Sequence, residues 1–184
     1  MDAKDVSELL DYLEIHGLEV YVDGGWGVDA LLGRQTRSHA DLDIALPHIH
    51  VPKLRELLGR RGHREQARDG SWECNFVLAD QAGRVVDVHS YTLDDAGNNT
   101  FGITYRGEDL KGNGIIDTRP VRCITPASIV KFHTGYEPDE NDSHDVRAVC
   151  ERFQIELPEG YRRFLTPTSP SDSTPPGSSS TLPS

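Results

Sequence analysis

Long apolar runs are missing from this 184-residue chain, and no stretch approaches the eighteen or more residues needed to cross a bilayer. The N-terminus, MDAKDVSELL, lacks the basic, apolar and cleavage-site succession of an export signal, so a cytoplasmic protein without a membrane partner is expected. Cysteine is scarce: Cys74, Cys123 and Cys150 are too few, too scattered and odd in number for a disulfide framework. They read as small buried side chains in strands or a helix stripe rather than as nucleophiles or zinc ligands. Positive charge is also short, with 19 Lys and Arg against 30 Asp and Glu and a formal net charge of -11. A general nucleic-acid surface needs excess phosphate-facing cations, so no nucleic-acid partner is expected. Neither GxGxxG nor GxxxxGK(S/T) occurs at the glycine turn, and His133 and His144 form no HExxH, which sets aside the familiar dinucleotide, P-loop and zinc-protease motifs.

What is present is ordered up to about Leu165. Residues 166–184, TPTSPSDSTPPGSSSTLPS, hold five prolines, seven serines and one charge, too little apolar surface to offset the entropy of ordering, so a disordered tail is predicted. Before it, Val6, Leu9, Leu10 and Leu13 recur at helical spacing up to Gly17. A short strand near 20–22 runs into Gly24 and Gly25, and a second helix carries Trp26, Val28, Leu31 and Leu32. ADLDIAL at 40–46 alternates with the strand period, which turns Leu42, Ile44 and Leu46 to the core and Asp41 and Asp43 to the opposite face. A helix follows Pro52, and residues 73–79 and 84–89 form a hairpin whose second strand puts Val85, Asp87 and His89 on one face. Residues 94–117 read as a mobile rim of loops with one or two small strands. A strand at 120–124 precedes a helix that starts at Pro126 and stops at Gly135, and a last helix carries Val146, Val149, Cys150 and Phe153. The expected organisation is a mixed α+β core over 1–118, a final strand with C-terminal helices on the substrate side over 119–165, and the tail.

The chemistry concentrates on the aspartates. Asp41 and Asp43 project from one strand face, and Asp87 can join them from a neighbouring strand. Three close carboxylates raise one another's pKa unless a cation compensates them, and divalent metal does so while activating a hydroxyl and stabilising a displaced phosphate. The alternative is a solvated strand edge with unrelated aspartates. Gly24 and Gly25, between a strand and a helix, suit phosphate approach to backbone N–H groups, although a tight turn alone explains a glycine pair equally well. Arg34, Arg37 and His39 locally reverse the acidic balance. Arg37 is the preferred phosphate contact because its fork holds two oxygens at once. Arg34 stands equally as a helix C-terminal charge, and His39 as a brace for Asp41 or the loop. Tyr136, Glu137, Asp142 and Asp145 suit an acceptor pocket, while Asp142 and Asp145 also suit a helix N-terminus.

GGW at 24–26, TRSHADLDI at 36–44 and VVDVH at 85–89 resemble the small antibiotic nucleotidyltransferases, the lincosamide nucleotidyltransferases and aminoglycoside 2''-adenylyltransferases of the polymerase-beta-like superfamily. Residues 120–153 resemble their C-terminal helical part. The resemblance implies a small mixed α/β nucleotidyltransferase core with C-terminal helices. It implies that Asp41, Asp43 and Asp87 are the catalytic, metal-binding carboxylates, with Asp87 completing the metal site or accepting the attacking hydroxyl's proton. It places Gly24, Gly25, Arg37 and Lys131 near the nucleotide, with a snorkelling role open for Lys131; His89 and Tyr136 are candidates for the acceptor side. Ala45 stands where some relatives carry a further acid. The implied reaction takes two Mg2+ ions and ATP or another nucleoside triphosphate, and moves AMP to a lincosamide hydroxyl with release of pyrophosphate. An aminoglycoside adenylyltransferase, a protein nucleotidyltransferase and an inactive nucleotide-binding regulator are the alternatives. The acceptor is a small-molecule antibiotic, and a homodimer is compatible with the folded region.

Overall fold

A computed structural model describes residues 1–134 and 136–165. The predicted disordered tail and the Gly135 helix stop lie outside the described residues. The elements run α1 (Ala3–Ile15), β1 (Tyr21–Val22), α2 (Gly24–Leu32), β2 (Asp41–Pro47), α3 (Val51–Arg60), β3 (Arg64–Gln66), β4 (Asn75–Ala79), β5 (Val85–Leu93), β6 (Asn99–Gly102), β7 (Gly112–Ile116), β8 (Arg119–Cys123), α4 (Pro126–Phe132) and α5 (Glu140–Phe153). One sheet carries all the strands in the order β3-β4-β5-β2-β1-β8-β7, with β6 added to β5. The architecture is the expected mixed α+β fold. β8, the strand that opens the C-terminal region, pairs with both β1 and β7, so that region enters the sheet itself.

Local chemistry accounts for the elements that position the site. Asp2 caps α1 through the Asp5 amide while Asp5 reaches back toward the Asp2 amide, so the first turn's free donors are met and Val6, Leu9, Leu10 and Leu13 are set inward. α2 is apolar on nearly every side, as a helix wedged between a sheet and other helices must be, and Gly33 ends it at φ +69°. Asp139 forms a second reciprocal box with Asp142 at the head of α5.

β2 and β5 run parallel at the centre, with Leu42 opposite Val86 and Asp43 opposite Asp87. The period of two sends Leu42, Ile44, Leu46, Val86 and Val88 into one apolar cluster under α1 and α3. It sends Asp41, Asp43, Asp87 and His89 to the other face, beside a second cluster built by Val28, Tyr105, Ile129, Val146, Val149 and Tyr161. Residues 94–117 are more than a rim: Tyr105, Asp109 and Leu110 are buried, and β7 closes one edge of the sheet. Their glycines and asparagines hid this, because the burial depends on single anchors and not on a periodic run. β3 was also missed, since Arg64, Glu65 and Gln66 are all exposed and carry no alternation.

Candidate active site

The parallel register of β2 and β5 places Asp43 level with Asp87 and Ala45 level with His89. One carboxylate oxygen each from Asp43 and Asp87 and one ring nitrogen of His89 lie within 4.8 Å of one another. Asp41 shares their face one pleat along the same strand. β1 brings a fourth acid: the Asp23 amide donates to the Asp43 carbonyl at 2.9 Å, which seats Asp23 beside the pair. Asp23 caps α2 through the Gly24 amide (2.7 Å) and accepts from the Tyr105 hydroxyl (2.5 Å). Neither Asp23 nor Tyr105 was singled out from the sequence. An aspartate directly before a helix-opening glycine is a legible N-cap signal; Tyr105, 82 residues further on, offers none.

The electrostatics follow from this crowding. Withdrawal from water, with Asp41, Asp23 and Asp87 nearby, pushes the Asp43 carboxyl up to about 7 even though His89 pulls it down. Burial works against a charge on His89, yet Asp23, Asp43 and Asp87 outweigh it and hold the imidazole up at about 9. For Asp23, burial is more than offset by His89, the Tyr105 hydroxyl and the Gly24 amide, which keep its carboxyl below the usual range. The centre is thus an excess of carboxylate oxygens around one imidazole. Such hard oxygen donors suit Mg2+, and a divalent cation would offset both the burial and the neighbouring acids that lift Asp43. The chain's own residues fit a metal.

Glycine is required where α2 meets this centre. Gly24 holds φ +55°, and a Cβ there would stand 2.1 Å from Asp43 Oδ2. A Cβ on Gly25 would stand 2.4 Å from His39 Nδ1 and 2.6 Å from Arg37 Nη2. The helix N-terminus is therefore flanked by the acids on one side and by Arg37 and His39 on the other. Both of these basic residues are anchored. Arg37 donates through Nε (3.0 Å) and Nη2 (2.5 Å) to the buried Asp145 of α5. His39 Nε2 lies 2.5 Å from Oδ2 of Asp29, which also accepts from the Thr36 amide and hydroxyl. His39 thus braces the loop through Asp29, not through Asp41. Asp145, which the sequence left open between a helix end and a pocket, is the partner of Arg37.

Two residues lie apart from this group. Lys131 Nζ is 3.8 Å from Asp109 Oδ1, and Tyr136 is exposed with its hydroxyl donating to Asp142 at 3.1 Å. Among the described residues, no hydrogen bond or ion pair joins either to Asp41, Asp43 or Asp87. Arg68, unmarked in the sequence, does reach them: its guanidinium grips both oxygens of Asp87. The three cysteines are free and buried, as expected.

The chain as a whole has counterparts among known proteins. A family model described as aminoglycoside-2''-adenylyltransferase matches residues 5–149. The chain belongs to that family. A lincosamide resistance protein from Staphylococcus haemolyticus is 29% identical over 150 residues, covering 78% of this chain and 91% of that protein. A 2''-aminoglycoside nucleotidyltransferase from Klebsiella pneumoniae is 27% identical over 144 residues, covering 71% and 73%. Among solved structures, the lincomycin-bound lincosamide antibiotic adenylyltransferase LnuA superposes with a TM-score of 0.69 at 25% identity, covering 83% of this chain and 97% of that one. ANT(2'')-Ia with adenylyl-2''-tobramycin, at 20% identity and a TM-score of 0.70 over 89% and 98%, shares the fold. Membership makes the chain a nucleotidyltransferase. No helix among the described residues is long and apolar enough to cross a membrane.

Proposed function

We propose that this nucleotidyltransferase moves AMP from ATP to a hydroxyl of a lincosamide, with Mg2+ held by Asp41, Asp43 and Asp87. The observation that carries the reading is the register that puts Asp43 beside Asp87 and His89 at the N-terminus of a helix whose first residues are glycines. Bound Mg2+ supplies charge neutralisation for the triphosphate and the leaving pyrophosphate. The protein does the remainder by position. Gly24 and Gly25 leave the α2 amides open to phosphate oxygens. Arg37, fixed by Asp145, retains N–H groups for the same oxygens. Asp87 accepts the proton of the attacking hydroxyl, and His89 orients that carboxylate from 3.6 Å. Tyr105 holds Asp23, and Asp23 holds His89, which spares the centre any rearrangement during transfer. Lys131 serves the nucleotide and Tyr136 the acceptor from the α4 side.

A lincosamide acceptor is favoured by the lincosamide resistance protein, 29% identical and covered to 91% of its length, and by the lincomycin-bound neighbour. The test is parallel reaction of lincomycin, clindamycin, kanamycin and tobramycin with saturating Mg-ATP in cytoplasm-like buffer. Mass spectrometry should show addition of AMP to the lincosamides, matched by pyrophosphate, with little aminoglycoside product. Aminoglycoside labelling without lincosamide product would move the substrate to the other branch. Nucleotide binding without any transfer would reduce the chain to a regulator.

A further inference from the structure

Asp87, assigned above to metal and proton, does not face solvent bare. Arg68 Nη1 meets its Oδ2, and Nη2 lies 3.1 Å from its Oδ1, so a guanidinium fork spans both oxygens. Oδ1 is also the oxygen nearest His89 Nε2, at 3.6 Å. Arg68 comes from the loop between β3 and β4, and its Nη2 also donates at 2.6 Å to Asn75 Oδ1 on β4, the strand paired with β5. The side chain of Arg68 is 38% exposed and that of Asp87 only 9%, so the cation caps the acid from the open side.

Two facts make this partner removable. Its charge sits near water, where an ion pair contributes little, and it hangs from a loop that buries none of its neighbours at 67–70. Its position nevertheless matters, because a guanidinium and a divalent cation repel each other and compete for the same lone pairs. Arg37 and His39 do not play this part, since Arg37 is turned to Asp145 and His39 to Asp29; His89 faces Asp87 from inside the sheet at 3.6 Å, whereas Arg68 meets it from the open side.

We propose that Arg68 is a displaceable counter-ion of Asp87 that competes with the divalent cation for the acidic cleft, and so sets how tightly the nucleotide-free enzyme takes up metal. The proposal rests on the nucleotidyltransferase reading for the metal site, and adds a residue that holds the site closed without being a ligand. Arginine suits the task because its planar fork covers two oxygens at once, which a lysine ammonium does not.

The test is an electron paramagnetic resonance titration of free Mn2+ into the full-length protein without nucleotide, using wild type, Arg68→Gln, Asn75→Ala and Asp87→Asn. Arg68→Gln should bind Mn2+ about tenfold more tightly, the scale of one near-surface charge contact. Asn75→Ala, which frees the guanidinium on its other side, should shift affinity the same way by about twofold. Without metal, Arg68→Gln should melt below wild type, and Mn2+ should close that gap. Asp87→Asn should bind Mn2+ more weakly. A lower melting temperature in Arg68→Gln with unchanged or weaker Mn2+ affinity would make Arg68 merely structural and overturn the proposal, while weaker binding by Asp87→Asn would still uphold the metal site. If Arg68→Gln does not fold, unchanged or weaker Mn2+ affinity in Asn75→Ala overturns the proposal. Failure of every form to bind Mn2+ would overturn the metal site and the proposal with it.

Discussion

Gly24 and Gly25 stand side by side between two charged regions that balance their charge in opposite ways. Beyond Gly25, each charge has a dedicated partner: Arg37 with Asp145, and His39 with an Asp29 that also holds Thr36. Beyond Gly24, the carboxylates of Asp23, Asp43 and Asp87 crowd around His89 with Asp41 beside Asp43, and burial together with the neighbouring acids pushes Asp43 up to about 7. Burying charge is costly unless it is paired, so the Gly25 side is built to be stable as it is. The Gly24 side, on the proposed function, is completed by a bound cation.

Substitutions of like chemistry should therefore have opposite consequences on the two sides. Asp87→Asn should lower single-turnover transfer by ~10²–10⁴-fold, the usual scale for losing proton-transfer assistance, while nucleotide affinity is largely kept. Asp43→Asn should instead weaken metal-dependent nucleotide binding, and should raise the melting temperature of the metal-free protein because a carboxylate disfavoured by burial and by neighbouring acids is gone. Single-turnover kinetics and calorimetric unfolding check the two claims separately. Near-normal transfer by Asp87→Asn would reject it as base, and a drop in melting temperature for Asp43→Asn would mean that its charge is matched after all.

The Gly25 side should show stability effects first. Asp145 is 1% exposed and Arg37 25%, so Arg37→Met leaves a buried carboxylate with no partner. The expected cost is about 3 kcal/mol in urea unfolding, at the low end for breaking a buried pair because Arg37 keeps some contact with water. A loss below about 1 kcal/mol would show that Asp145 finds water or another donor, and the contrast between the two sides would shrink.

The acids were legible in the sequence because a strand has a period of two and Asp41, Asp43 and Asp87 obey it beside apolar Leu42, Ile44, Val86 and Val88. That pattern alone predicts which face the charges share. The partners were not legible, since Arg37 and Asp145 are 108 residues apart and Asp23 and Tyr105 are 82 apart, with no periodic signal joining them. Arg37 illustrates the difference: the sequence marks a cation near a phosphate site, and only the fold shows that two of its nitrogens are committed to α5. Arg68 lies in a loop with no element to place it. Glycine spacing marked the start of α2, but not that each glycine makes room for a different kind of charge.

The glycines themselves separate the two regions at a smaller scale. Gly25→Ala should force His39 and Arg37 to shift, at about 1–3 kcal/mol of stability, as overpacking a filled site does. Gly24→Ala meets Asp43 and also strains a backbone at φ +55°, so its signature should include weaker metal-dependent nucleotide binding. Isothermal titration of Mg-nucleotide alongside urea unfolding distinguishes them. Equal loss of binding in both variants would merge the two sides into one.

The smallest effect asks whether the Gly25 side depends on α5 as a helix or only on its Asp145. Asp139 caps that helix by accepting from the Asp142 amide at 2.8 Å, and Asp142 returns the contact to the Asp139 amide at 3.0 Å. Asp139→Ala removes one half of this box and leaves the Arg37–Asp145 fork untouched. Lost caps cost about 1 kcal/mol, so urea unfolding should show a loss of that order, with transfer rate and nucleotide affinity unchanged. Val146 and Val149 are fully buried against the core one turn further on, which is why fraying of the first turn should stop before Asp145. If Asp139→Ala also lowered nucleotide affinity, the frayed turn would be reaching Arg37, and the helix start would count as part of the site.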